Sequence, residues 1–172
     1  MRLLILFAVF AATPLAAQDL DARYAPIGAF EGMLGDAPVS LVATMDLERD
    51  KSSVTIDNRS GFPIIGARTR SIGSDGKLTS PGIAFLFGPL MPGASSDAEV
   101  TIMSESGFYV AKPDLDGRVP VVDLEYSETS LSFAIEAMIS PVIRVEGEFE
   151  PDPDRQPIAV SGRFEATPDW KN

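Results

Sequence analysis

The amino-acid sequence predicts an all-β fold, either a single antiparallel β-sandwich or a small β-barrel of about ten short strands. Three observations lead to this prediction. Apolar and polar residues alternate with a period of two in several segments, as they do in strands with one buried face. Residues typical of tight turns separate these segments, and the connections are too short for parallel crossovers. No stretch of about a dozen residues shows the 3.6-residue apolar period of an amphipathic helix.

The alternation and the turn residues together place the strands. In residues 131–139, Leu131, Phe133 and Ile135 lie on one face, and Ser132 and Glu136 lie on the other. Residues 19–24 have room for one helical turn before the first strand. In residues 143–149, a single strand is expected to place its apolar side chains on one face. The predicted strands are 39–48, 53–57, 64–72, 78–86, 100–103, 108–111, 119–126, 131–139, 143–149 and 158–166.

Two short motifs fall in the predicted turns between strands. Ser74 and Lys77 match the S-x-x-K pattern of serine acyl-transfer enzymes, but Asp75-Gly76 between them indicates a hairpin turn. The segment 114–117 resembles the start of a calcium-binding loop, and its Asp-Gly pair is equally typical of an ordinary turn. Both motifs are therefore interpreted as turns.

Residues 1–18 have the layout of a secretory signal peptide. Arg2 precedes ten apolar residues, 3–12, and the small residues Ala16 and Ala17 follow a Thr-Pro break. The apolar run is shorter than the roughly 20 residues of a transmembrane helix, and no later segment is long enough either. We expect cleavage near residues 17/18, and we expect residues 19–172 to form a single all-β domain. The predicted location is the bacterial periplasm or the exterior.

The composition excludes several chemistries. The chain of 172 residues carries 14 Lys and Arg against 25 Asp and Glu, a net charge of −11, and it lacks Cys and His. Without these two residue types there is no thiol or imidazole catalysis, no disulfide and no lipid attached through Cys. The acidic balance argues against a nucleic-acid partner. The sequence indicates no cofactor and no metal site.

One apolar segment, 80–93, is broken by Gly and Pro rather than by charges. Such a segment fits a central strand that is buried on both faces. Its second half is a poor strand, however, and suits the mouth of a pocket or a partner contact. The expected ligand or partner contacts are Ile83, Phe85, Phe87, Leu90 and Met91.

A second surface feature is an acidic face near the C-terminal end of the chain. Five carboxylates follow one another at every second position, Glu146, Glu148, Glu150, Asp152 and Asp154. On one strand face such side chains repeat about every 6.6 Å. A solvated face that protects an edge strand is one interpretation, and a cationic partner is the other.

These features lead to three hypotheses. The first is a non-enzymatic binding protein of the envelope that holds a small apolar ligand. The second is a protein–protein interaction module that uses the acidic face and the apolar loop to contact an envelope protein. The third is a carboxylate-based hydrolase, for which Asp123 with Glu125, or Asp46 with Glu48, would supply the acid pair. The third has the least support, because these acids lack the aromatic platforms of a sugar cleft, and no catalytic residue is assigned.

Overall fold

Thirteen β-strands form within residues 20–58, 61–88, 90 and 96–168, the part of the chain that the computed structural model describes. They are β1 (Tyr24–Leu34), β2 (Ala37–Asp46), β3 (Lys51–Ser52), β4 (Val54–Asp57), β5 (Ile64–Ile72), β6 (Leu78–Phe87), β7 (Asp97–Ser104), β8 (Gly107–Ala111), β9 (Val119–Tyr126), β10 (Leu131–Ile139), β11 (Pro141–Val145), β12 (Glu148–Pro151) and β13 (Ile158–Ala166).

Eight of these strands close into an antiparallel barrel. Around the barrel the order is β7, β6, β5, β2, β1, β13, β10 and β9. The barrel closes where the first residues of β7 pair with β9, through Asp97 opposite Pro120 and Ala98 opposite Val119. The all-β class is therefore confirmed, and of the two architectures expected from the sequence the molecule adopts the barrel.

Large apolar side chains fill the barrel interior. Phe30, Phe87, Phe133 and Phe164 are each fully buried and come from four different strands. An eight-stranded barrel is just wide enough for side chains to fill its interior. Burying each of these aromatic side chains stabilises the fold by roughly 1.5–3 kcal/mol.

Two glycines let strands β1 and β13 approach each other closely. Gly32 lies directly opposite Gly162 in the ladder. A Cβ atom added to Gly32 would meet the backbone oxygen of Ser161 and would lie 2.7 Å from the Cα of Gly162. The Phe30 ring lies over Gly162, so a side chain there would collide with the ring. Glycine at these points allows tight curvature of the barrel.

The remaining five strands extend the barrel at two places. Strands β2 and β5 share a single register pair, Val42 opposite Arg70, and then diverge. Strands β3 and β4 lie at this divergence, β3 paired with β2 and β4 paired with β5. At the second place, β8 pairs with β7 beyond the contact with β9, and the β11–β12 hairpin pairs with β8.

Three sequence predictions need correction. The segment 143–149 is a hairpin, not one strand, because Glu146 and Gly147 form a two-residue turn with positive φ at both positions. Strand β1 was missed, because its inward positions include two glycines, which leave little apolar alternation. Near residues 19–24 the described part forms a turn, with the Tyr24 amide donating to the carbonyl of Asp21, and no helical turn.

Candidate functional site

The residues expected to contact an apolar ligand lie mainly in the barrel interior. Ile83, Phe85 and Phe87 project inward from β6 and are 0%, 2% and 0% exposed. Leu90 is half-buried and packs against the same cluster, whereas Met91 lies outside the described residues. The side chains of Ile83, Phe85 and Phe87 therefore belong to the core of the protein, and Leu90 packs against it.

The interior aromatic rings contact one another. The Phe133 ring centroid lies 4.9 Å from the centroids of both Phe85 and Phe87, and 5.1 Å from that of Phe164. The buried hydroxyl of Thr69 donates to a backbone carbonyl on β6, so it does not need a ligand partner. The packing places side chains where a ligand of a hollow barrel would lie.

The structure divides the five acidic residues among three places. Glu146 lies in the β11–β12 turn, Glu148 and Glu150 are exposed on β12, and Asp152 and Asp154 follow in the loop. On the hairpin, Glu150 lies opposite Ile143 and Glu148 lies opposite Val145. The exposed face of this hairpin is therefore part acidic and part apolar.

Arg155 neutralises one of these carboxylates and holds the loop in place. Its Nε donates to Oδ2 of Asp152 at 2.6 Å, and its other nitrogens donate to the carbonyls of Ser106, Phe108 and Val142. The hydrogen bond from Arg155 lowers the pKa of Asp152. Asp152 is therefore ion-paired with Arg155 in a partly buried position.

A groove of about 700 Å³ lies on the outside of the barrel, where β2 and β5 diverge. We call it the outer groove. The outward positions of β5, β6 and β7 line it, and β4 with the β2–β3 turn borders it. Its small and apolar lining residues include Ile64, Gly66, Ala84 and Leu86. This groove was not predicted from the sequence.

Four cationic side chains line the outer groove. Arg68 and Arg70 project from β5 two residues apart, so their Cα atoms are about 6.6 Å apart on one face. Arg49 comes from the β2–β3 turn, and Lys51 is the first residue of β3. Among the described residues, none of these four forms an ion pair with a carboxylate. In a chain of net charge −11 this is a local excess of positive charge.

The side chain of Arg70 leans across the neighbouring strand. Arg70 lies opposite Gly82 in the β5–β6 ladder. A Cβ atom added to Gly82 would lie 2.8 Å from Cδ of Arg70, which shows that the arginine stem occupies the space above this glycine. The absence of a side chain at Gly82 thus lets Arg70 lie over β6.

Hydroxyl-bearing side chains also line the outer groove. Ser53, between β3 and β4, accepts a hydrogen bond from the Thr44 amide through its Oγ at 2.8 Å. Hydroxyls can both donate to and accept from a bound ligand. The hydroxyl-bearing side chains of the lining are Tyr24, Thr44, Ser52, Ser53, Thr55 and Thr101.

Two of the carboxylates in the lining are neutralised by arginines outside it. Asp46 accepts a hydrogen bond from Nε of Arg23 at 3.0 Å, and this bond lowers the pKa of Asp46. Glu99 pairs with Arg118 at 3.0 Å. The third carboxylate, Asp57, lies opposite Ile64 at the end of the groove away from Arg70. These acids therefore leave the four groove cations available.

The acid pairs considered for hydrolysis do not form isolated dyads. Asp46 and Glu48 both lie within 3.4 Å of Arg23, which holds them as ion-pair partners. Asp123 has a φ of 53° at an irregularity in the β9–β10 ladder, which disturbs the strand alternation toward Glu125. The Ser74–Lys77 motif is a turn, and the Lys77 amine pairs with Asp75 at 2.8 Å.

The chain was compared with protein family models, curated proteins and solved structures. No protein family model, no curated protein and no solved structure matches the chain. Within the described residues, no helix has the length and apolar character needed to cross a membrane.

Proposed function

We propose that this protein is an exported, non-enzymatic binding protein of the bacterial cell envelope, and that it binds its ligand in the outer groove. The signal-peptide pattern of residues 1–18 supports export. The observation that carries the proposal is the groove itself, which encloses about 700 Å³ and is lined by hydroxyls and by cations that form no ion pair with any described carboxylate. This volume falls within the range of small-molecule sites, roughly 300–1,000 Å³.

The proposal differs from an apolar ligand inside the barrel. Phe85 and Phe87, which were candidates for contacting such a ligand, make ring contacts at 4.9 Å with Phe133. A ligand in the interior would have to displace these rings. A ligand in the outer groove requires no such rearrangement, because the groove is open to solvent.

The experiment is native mass spectrometry of the protein purified from the envelope of its own host. We expect a bound small molecule in the wild type and its loss in Ala84→Trp, which fills the groove floor between Arg68 and Thr101. Ala134→Trp is the matched control, because Ala134 is a half-buried, outward-facing alanine on β10, away from the groove. The exported mass also tests cleavage near residues 17/18.

A bare wild-type protein, or a ligand retained by Ala84→Trp, would contradict the proposal. Both variants should keep the wild-type melting temperature, which excludes unfolding as the cause of ligand loss.

A second candidate is the interaction module. The β11–β12 hairpin exposes Ile143 and Val145 beside Glu148 and Glu150, and β12 ends the order of described strands. An apolar and acidic face at a strand edge is suited to a partner protein. A specific protein, rather than a small molecule, in the same native spectra would favour this candidate.

A further inference from the structure

We infer that the ligand of the outer groove is an amphiphilic anion that carries a phosphate group. This inference rests on the proposed function, and it names the chemical class of the ligand. It follows from how charge and apolar surface are distributed along the groove.

The cationic end of the groove suits a phosphate group. Arg68 and Arg70 project from the same face of β5, and an arginine guanidinium binds phosphate oxygens through two parallel hydrogen bonds. Ser53 and Arg68 are neighbours across the strands, because the Arg68 amide donates to the Ser53 carbonyl at 2.9 Å. This arrangement offers several donors to one multiply charged group.

At the opposite end of the groove, the apolar side chains Ile64 and Leu86 lie across the strands from two carboxylates. Asp57 lies opposite Ile64, and Glu99, which is paired with Arg118, lies opposite Leu86. The outward positions along β5 run from Ile64 through Gly66 to Arg68 and Arg70, a distance of about 20 Å. Leu86 lies opposite Gly66 and is 45% exposed, so its side chain is open to solvent. A ligand with an anionic head at Arg68 and Arg70 and an apolar tail along Gly66 and Leu86 matches this arrangement.

The charges near the groove favour an anion over a cation. Asp46 is ion-paired with Arg23, and Glu99 is ion-paired with Arg118. Asp57 lies opposite Ile64, four residues along β5 from Arg68. Among the described residues, a cationic ligand would therefore meet the repulsion of Arg68 and Arg70, while Asp46 and Glu99 are already paired with other arginines.

The test is isothermal titration calorimetry of the purified full chain with three probes. Each probe is used below its critical micelle concentration. Octyl phosphate carries the charged head and the tail, octyl glucoside has the same tail with a neutral head, and inorganic phosphate has no tail. We expect octyl phosphate to bind about tenfold or more tightly than either of the others. Its binding should weaken when NaCl is raised from about 0.05 M to about 0.5 M.

Two variants locate the binding. Arg68→Gln combined with Arg70→Gln should weaken octyl phosphate binding about tenfold or more. The control, Lys112→Gln combined with Arg144→Gln, removes the same charge outside the groove lining and should bind as the wild type does. Leu86→Ser should weaken octyl phosphate binding and leave inorganic phosphate binding unchanged.

The outcomes separate this inference from the proposed function. Equal binding of octyl phosphate and octyl glucoside, or unchanged binding in the Arg68 and Arg70 variant, would overturn the anionic ligand class. Equal binding of inorganic phosphate and octyl phosphate would overturn the amphiphile. If any of these results accompanied a native ligand that Ala84→Trp excludes, the binding function would stand and only the ligand class would fail. If Ala84→Trp excluded nothing and no probe bound, both would fail.

Discussion

The inside and the outside of the barrel differ in chemistry although the same strands build both. On β6, Phe85 and Phe87 project inward and are buried, while Ala84 and Leu86 project outward into the groove. The strand period of two separates these sets by one residue. Neighbouring residues therefore have different roles: inward positions pack the core of the barrel, and outward positions line the solvent-exposed groove.

The same division applies to the charges. Among the described residues, the inward-facing core is apolar, with the hydroxyl of Thr69 satisfied by the carbonyl of Ile83. The outer groove instead collects Arg49, Lys51 and the two arginines of β5. Charges of this kind keep their hydration outside the barrel, whereas burying them unpaired would cost several kcal/mol each. An anion site on this fold is therefore easier to build on the outer surface than in the filled interior.

The largest expected change in the free energy of unfolding comes from a comparison of two adjacent residues of β6, one buried and one exposed. Phe87→Ala removes a fully buried ring that contacts Phe133, and it should lower the free energy of unfolding by about 3–5 kcal/mol. Leu86→Ala removes a side chain that is 45% exposed, and it should lower that free energy by less than about 1 kcal/mol. Urea unfolding followed by circular dichroism measures both. Similar losses in the two variants would contradict the division between inside and outside.

A smaller change in the free energy of unfolding is expected at two glycines, one that faces the barrel interior and one that lies on the floor of the outer groove. Gly32→Ala should lower the free energy of unfolding by about 1–3 kcal/mol, because its Cβ would meet the backbone of β13. Gly66→Ala, on the groove floor, should change it by less than about 1 kcal/mol in either direction. Its Cβ would lie 3.0 Å from Oγ1 of Thr55, a side-chain atom that can rotate away. Thermal melting of both variants measures the difference, and an equal loss would show that the groove floor is packed as tightly as the interior.

The smallest expected change in the free energy of unfolding comes from an ion pair on the rim of the outer groove, between Arg23 and Asp46. Because Arg23 lowers the pKa of Asp46, the pair stabilises the fold above the unfolded-state pKa of about 3.9. That contribution is lost as the pH falls through the lower folded-state pKa. Asp46→Asn should therefore be less stable than the wild type near pH 6, and the difference should shrink below about pH 4.

Urea unfolding at several pH values measures this profile. Arg23→Gln should also reduce the pH dependence, because it removes the partner that lowers the pKa. Parallel pH profiles in the wild type and Asp46→Asn would show that the ion pair does not stabilise the fold.

The sequence predicted the strands best where alternation was regular and turns were sharp. β5, β9, β10 and β13 begin and end at the predicted residues. Prediction failed where this signal is weak. In β1, the inward Gly32 carries no apolar side chain, and its presence reflects the close approach of β13, which is 130 residues away in the chain. At Glu146-Gly147, alternation continues through a two-residue turn, so a hairpin resembled one strand.

The candidate site was less predictable than the fold. Arg68 and Arg70 are two residues apart in a predicted strand, and this spacing indicates that both side chains lie on the same face of the strand. Nothing in the sequence pattern indicates that β2 and β5 diverge beside them, or that β3 and β4 fill that space. The apolar residues of β6 were conspicuous in the sequence, but conspicuous apolar residues are most often those that the core buries.

By itself, the sequence determined the all-β class, the positions of most strands and, in the regularly alternating strands, the face on which each residue lies. These properties are local, because they depend on alternation and turn chemistry within a few residues. Only the tertiary structure decided that the sheet closes through β7 and β9, that the interior is filled, and that a cationic groove opens outside it. Those properties depend on which distant strands pair and where they separate, and strand pairing is set by contacts across the whole chain.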